Sequence, residues 1–327
     1  MKFKSRPALV GIAILVLVIA VGAVNLTGKS KTKDVTLVTH DSFVMSKDQI
    51  KNFAASTGYD LKLVKAGDAG ALTNRLILTK GAPIADVVFG IDNTFASLAK
   101  NSGIISGSLV ATDFGDVCLN YDKTWFAVHK VVAPRTLDDL ISPKYKGLTV
   151  IENPNTSSTG LSFLAATVDK YGTNGWQGYW KALKKNMVKV DNGWESAYYT
   201  DFSGSSGKGA YPIVLSYATS PADEVRSNGQ SQTASILDGC FRQTEYVGIL
   251  KKAHNPDGAK AVVKFLLSNE FQKSFPSAMY MYPIVKGVTV PANWSQFAKV
   301  PEKTFGDNLN FTIGRKVWLT GWSAIFA

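Results

Sequence analysis

Residues 85–89 read ADVVF, the nearly continuous apolar run that a strand buried on both faces requires. It sits in the succession that most constrains the fold. DVTLVT at 34–39 alternates and is rich in β-branched residues, which predicts a strand. Residues 46–56 place Ile50, Phe53 and Ala54 at the spacing of a short amphipathic helix. YDLKLV at 59–64 reads as a second strand. Residues 70–79 read as a helix with Leu72, Leu76 and Leu78 inward, and residues 94–100 as a helix that stops before Gly103. This alternation predicts an open, mostly parallel α/β sheet. In such sheets ligands bind beyond the carboxyl ends of the strands. His40-Asp41-Ser42 and Gly90-Ile91-Asp92-Asn93 stand at two such ends.

A second set follows. Strands are expected at 148–151, 187–190, 211–217 and 244–250. Helices are expected at 161–171, 179–186, 257–268 and 270–275, with another starting at 220–225. A polar loop, ENPNTSSTG, spans 152–160, and the strand at 187–190 leads to Gly193-Trp194. A chain of 327 residues suits two domains. Two similar α/β sets without repeats or low-complexity tracts predict a bilobal binding protein.

The formal charge of +11 invites a nucleic-acid reading until it is localised. Lys2, Lys4, Arg6, Lys29, Lys31 and Lys33 lie in a stretch without Asp or Glu, and the remaining chain is only mildly basic. No run of five basic residues remains, so nucleic acid is not the expected partner. Lys2, Lys4 and Arg6 precede an apolar run from Ala8 to Val24 that is interrupted only by Gly11 and Gly22. That is the pattern of an export signal, and its length is also at the lower limit of a membrane span. Cleavage near Val21-Gly22-Ala23 and retention as a membrane anchor both stay open. Residues 25–33 read as a flexible spacer. In either case the body is expected to be exported, periplasmic or at the cell surface.

Few residues suit chemistry. His40, His129 and His254 are far apart in sequence, so no metal site is expected. Tyr198-Tyr199 could ligate ferric iron; the plainer reading has one ring packing and the other at the surface. There is no G-x-S-x-G, no C-x-x-C and no Gly-rich phosphate loop, and no cofactor is expected. Cys118 and Cys240 lie where the chain would cross between lobes. They could form a disulfide clipping two adjacent hinge strands, stay as buried thiols, or leave Cys118 as a nucleophile. Trp194, Tyr217, Tyr280 and Tyr282 adjoin predicted strand ends. Aromatic rings beside acids such as Asp92 suit a flat organic cation.

Several segments together resemble one family. They are Asp41-Ser42-Phe43, Asn74-Arg75-Leu76, ADVVFGIDN at 85–93 and PNTSSTGL at 154–161. GWESAY at 193–198, LSYATSPA at 215–222 and Met281-Tyr282-Pro283 complete the set. In this order they resemble the thiamine-binding proteins of bacterial ABC importers, over about 35–322. The resemblance implies a bilobal, type II periplasmic-binding-protein fold with a two-strand hinge. The first lobe would hold 34–117 and 242–285, the second 118–241 and 286–327. It implies a ligand, thiamine or a thiamine phosphate, held between the lobes and handed to permease subunits without any bond being made or broken. Carried over by motif, the site comprises Asp92, Asn93, Ser157, Ser158, Trp194, Tyr217, Ala218, Thr219 and Ser220. Asp92 would meet the aminopyrimidine or the positive charge, Trp194 and Tyr217 would cover the rings, and N–H groups at Ser157 and Ser158 would hold the hydroxyl or a phosphate.

The sequence departs from the family at two further site positions. His40 stands where a Tyr is usual and Tyr280 where a Trp is usual, and a Trp usual near Ser46 and Lys47 is missing. A thinner aromatic cage is therefore expected, and a protonated His40 would repel a thiazolium. Two other functions share the fold: a thiaminase-like enzyme using Cys118, and a ferric-iron or polyamine carrier.

Overall fold

The computed structural model describes residues 32–206 and 209–327. The charged and apolar N-terminal segment lies outside the described residues. The first elements are β1 (Asp34–Thr39), α1 (Lys47–Thr57), β2 (Asp60–Lys65), α2 (Ala69–Leu78), β3 (Val87–Asp92) and α3 (Ala96–Asn101). Ser46 and Gln49 close a capping box at the start of α1, which satisfies two backbone donors that the first turn leaves free. β1 pairs in parallel with both β2 and β3. Every residue of β3 is buried, as its apolar run requires. In α2, Leu72 and Leu76 are buried but Leu78 is 85% exposed. Residues four apart share a helix face, whereas Leu78, two residues beyond Leu76, points away from it.

The chain then runs through β4 (Ile105–Asp122), α4 (Lys123–Val128), β5 (Thr149–Glu152), α5 (Ser158–Lys185), β6 (Lys189–Asp191) and β7 (Ile213–Tyr217). β8 (Thr233–Leu250), α6 (Pro256–Leu266), α7 (Asn269–Gln272), α8 (Phe275–Met279), β9 (Tyr282–Pro283), α9 (Trp294–Phe297) and α10 (Phe311–Phe326) complete it. α5 is broken at Gly172, whose φ of 70° is left-handed, so its two arms match the two predicted helices. The helix expected from Ser220 is only a single 3-10 turn, Ser220–Ala222, with Pro221 at its start.

All nine strands of the described residues belong to one sheet, in the order β2-β1-β3-β8-β4-β7-β5-β6 with β9 beside β4. The expectation of a mostly parallel sheet holds at its two ends and fails at its centre. β5 pairs in parallel with β6 and β7, but β4 and β8 are antiparallel to each other and to their outer neighbours. Each is 18 residues long. Ile105–Gly115 of β4 lies along Leu250–Gln243, next to β3; Leu119–Asp122 lies along Ile236–Thr233, next to β7. These two strands carry the chain from one end of the sheet to the other.

A disulfide joins Cys118 to Cys240 across this pair. The register passes from Val117↔Phe241 to Leu119↔Ile236, so the bond stands beside a bulge in β8. It removes both free-thiol alternatives and leaves Cys118 without the thiolate a nucleophile needs. The cross-link closes a loop of 122 residues. Reduction, or a Cys118→Ser/Cys240→Ser pair, is expected to lower the unfolding free energy by about 2–5 kcal/mol. Urea denaturation with and without reductant measures it; coincident curves would show that the bond adds nothing.

Candidate functional site

A partly enclosed cavity of about 650 Å³, counting its open mouth, lies where the central strands meet both ends of the sheet. Its walls divide by origin. His40, Ser42 and Asp68 follow β1 and β2, Glu245 lies on β8, Ala278 and Met279 end α8, and Tyr280 and Met281 follow it. Ser158 and Thr159 open α5, Trp194, Glu195 and Tyr199 come from the turn after β6, and Tyr217 ends β7.

The floor is acidic. His40 Nε2 lies 3.3 Å from Glu245 Oε1, and both side chains are nearly buried. Burial opposes protonation of the imidazole, but Glu245, Asp68 and Asp41 outweigh it and raise its pKa above 6.5. Gly90 makes room for the ring: a Cβ there would fall 2.0 Å from His40 Cδ2, and its φ of 93° suits glycine. The glycine of the GIDN motif thus positions a residue fifty places earlier in the chain.

Asp68 ties the two walls together. It caps α2 by accepting from the Ala69 N–H at 2.6 Å. The same carboxylate accepts from the Ser158 N–H at 3.3 Å and the Trp194 N–H at 3.0 Å. Its burial raises its pKa; the hydrogen bonds and His40 pull the other way. One of the backbone donors expected to meet the ligand at the start of α5 is therefore engaged by a side chain of the opposite wall.

The aromatic wall centres on Trp194. Its Nε1 donates to Ser216 Oγ at 2.9 Å, which fixes the indole plane. Tyr198 stacks behind it with centroids 4.9 Å apart, Tyr199 meets it edge-on at 5.3 Å, and Tyr280 and Tyr217 lie at 5.9 and 6.2 Å. Tyr280 donates to Asp223 Oδ2 at 2.7 Å, which leaves Tyr199 as donor in the 2.8 Å bond between the two hydroxyls. Tyr217 donates to Gln243 Oε1, and Gln243 Nε2 donates to Ser158 Oγ, each at 3.2 Å. Tyr199 adds a ring to the three aromatic lining residues singled out from sequence. The tandem pair divides as the plainer reading expected, since Tyr198 is buried and donates to Glu224 while Tyr199 is partly exposed.

Of the site residues named from sequence, His40, Ser158, Trp194, Tyr217 and Tyr280 line the cavity. The others stand behind its walls. Asp92 is buried, accepts from Thr94 Oγ1 and the Phe95 N–H, and lies opposite Glu245 in the β3–β8 register. Asn93 binds the Arg242 carbonyl and the Thr244 N–H. Ser157 caps α5 and bonds Thr159. Ala218 packs on the disulfide. Thr219 Oγ1 donates to the Tyr280 carbonyl, and Ser220 Oγ bonds Ser216 Oγ at 2.8 Å. Tyr282 stacks on Phe114. Sequence reasoning missed Asp68, Glu245 and Glu195. Asp68 carried a signal, a helix cap one residue beyond a predicted strand and turn; Glu245 lay unremarked inside a predicted strand.

A mixed sheet crossed by two long strands, with an aromatic and acidic cleft over the crossing, defines an extracytoplasmic solute-binding protein of the bilobal type. The chain belongs to the family of bacterial extracellular solute-binding proteins, whose model matches residues 85–305. It is similar to the thiamine-binding periplasmic protein of Salmonella typhimurium, 30% identical over 88% of this chain and 91% of the relative. The same-named protein of Escherichia coli is 29% identical over the same shares. A solved periplasmic thiamin binding protein superposes with a TM-score of 0.80 at 26% identity, over 92% of this chain and 98% of the other. Iron-bound HitA from Pseudomonas aeruginosa, 18% identical with a TM-score of 0.69, shares the fold.

Asp92 generates a prediction about pH. Burial first, then Glu245, raise its pKa to about 7. A carboxyl raised in the folded state binds a proton that the unfolded chain has already lost, so stability falls as pH rises from about 4 to about 7. Asp92→Asn keeps the Oδ1 acceptor and removes the charge. It is expected to flatten that limb and raise stability at pH 8 by up to about 4 kcal/mol. Thermal melts of both proteins between pH 4 and 8 decide it, and a less stable variant at pH 8 would refute the charge argument.

Proposed function

We propose that this protein captures thiamine, or a thiamine phosphate, in the cleft and delivers it to the permease of an ATP-binding cassette importer. The observation that carries the reading is the aromatic wall around Trp194 facing the carboxylates of Asp68 and Glu245. A thiazolium is flat and cationic, so it gains from ring faces and from nearby negative charge. An aminopyrimidine has donors and acceptors that match side chains such as Glu245 and Ser158. The similarity to thiamine-binding relatives across most of the chain supports the same ligand.

Residues 34–117 with 242–285 form one lobe in this proposal, and 118–241 with 286–327 the other. β4 and β8 are the hinge, and closing the lobes buries the ligand. Asp92, Asn93, Ser157 and residues 218–220 act from behind, holding the lining residues in place. The N-terminal segment directs export and, if retained, anchors the protein beside its permease. The ligand is released unchanged in this reading, and the disulfide leaves no thiol for a thiaminase-like attack by Cys118. An iron carrier needs phenolates aimed at the cleft. Here Tyr198 donates to Glu224, and the Tyr199 and Tyr280 hydroxyls run in a chain to Asp223.

Titration of tryptophan fluorescence with thiamine, thiamine phosphates, spermidine and ferric citrate tests the reading. Saturable binding of a thiamine compound alone is expected; no response to any of them from folded protein would end the proposal. Trp194→Ala is expected to weaken binding about 10- to 100-fold, and an unchanged affinity would remove the indole from the site. The His40–Glu245 pair gives the sign of the pH dependence. Below its raised pKa the imidazolium occupies Glu245; above it the neutral ring leaves that carboxylate to the ligand. Affinity is expected to rise several-fold as the pH climbs above 6.5 through the raised pKa of His40, and His40→Gln to flatten the profile. A flat wild-type profile would exclude the competition.

A further inference from the structure

The second arm of α5 and the whole of α10 pack side by side, and together they present a face that the cleft does not use. Trp180 of α5 meets Trp322 and Phe326 of α10 at 5.9 Å, which fixes which sides turn inward. The opposite side of α10 carries Ile313, 72% exposed, and Val317, 65% exposed. Ala324, also exposed, continues the line at helical spacing. Exposed β-branched side chains on consecutive turns of one helix gain nothing from the fold.

Cations flank this ridge on both sides. Lys316 stands beside it on α10, while Lys181 and Lys185 rise from α5 across a shallow groove that Ala324 also lines. No Asp or Glu occurs in residues 170–190 or 308–327. Lys181, Lys185 and Lys316 are exposed, and none has an acidic partner within 4.0 Å among the described residues. The charged groups that could neutralise the face lie elsewhere, since Lys170 is paired with Asp238 and Lys189 with Asp191 and Asp201. An apolar ridge with an unpaired lysine on one side and two on the other matches the arrangement of an interfacial helix on an anionic bilayer. The ridge enters the acyl boundary and the ammonium groups meet lipid phosphates.

We propose that the α5–α10 face docks on an anionic membrane surface, with Ile313 and Val317 inserted and Lys181, Lys185 and Lys316 on the headgroups. This surface is separate from the cleft, so the proposal stands whatever solute the cleft holds. Docking would hold the protein against the bilayer in one orientation rather than leave it tumbling.

The test uses the full chain with Val317→Cys carrying an environment-sensitive fluorophore; the native cysteines are already joined and do not compete for the label. The protein is mixed with vesicles of phosphatidylglycerol and phosphatidylcholine, or of phosphatidylcholine alone, each containing lipid with brominated acyl chains. Quenching on the anionic vesicles, suppressed by salt and absent on the neutral ones, is the expected result. Lys181→Glu/Lys185→Glu/Lys316→Glu is expected to raise the lipid concentration needed by at least about a hundredfold, at roughly fivefold per cation. Attachment through the N-terminal apolar run would leave the label unquenched on either vesicle. That outcome, equal quenching on neutral vesicles, or an unaffected triple variant overturns the proposal. Thiamine binding by the labelled protein is measured in parallel, so a failed cleft and a failed membrane face are told apart.

Discussion

The pairing of β4 with β8 is the constraint on which the rest depends. Two antiparallel strands of 18 residues each join the ends of the sheet, so the two outer α/β sets cannot place their loops independently. The disulfide pins the pair beside a bulge, and Ala218 packs against it directly after β7. Glu245 and Gln243 project from β8 below the cleft, and Tyr217 ends β7 on the other side of β4. Sliding β8 by one residue would turn Glu245 to the other face of the sheet and leave His40 without its partner.

Charge acts locally in this protein. The described body is mildly basic, yet its cleft concentrates Asp68, Glu195 and Glu245 against one imidazole. Two charges 4 Å apart at an effective dielectric of about 20 interact by about 4 kcal/mol, whereas exposed charges beyond about 8 Å are largely screened at physiological salt. A cation entering the cleft therefore meets the carboxylates rather than the sign of the whole chain. Asp68 has a second duty. By accepting N–H groups from Ser158 and Trp194 it couples the acidic floor to the aromatic wall, so the indole and the carboxylate are positioned by the same contact.

Much of this was legible in the sequence, and the losses have physical causes. The βα alternation of residues 34–101 appears to within about three residues, because the pattern of each element there is clean and Ser46 and Asp68 cap the first two helices. β4, anticipated only as a hinge strand at Cys118, has no strand pattern of its own: ISGSLVATDFGDVCLNYD mixes glycine, serine and three acids into a strand whose stability comes from pairing with β8. The same weakness hid the first half of β8. At the site, the aromatic residues were found because large rings next to glycine and asparagine at strand ends are conspicuous. Glu245 was not, because whether a strand residue faces a cavity depends on register, which a single sequence does not reveal. Asp92 was chosen for its motif and stands one layer behind, where its carboxylate holds the start of α3.

The central claim is that a flat cation sits between the indole of Trp194 and the carboxylate of Glu245. A crystal structure of the protein grown with thiamine tests it most directly. The account predicts the thiazolium within about 6 Å of the Trp194 or Tyr217 ring centroid, and a thiamine nitrogen or the ring charge facing Glu245. Thiamine bound outside the cleft, or inside it with both rings turned away from Trp194 and Glu245, would contradict it.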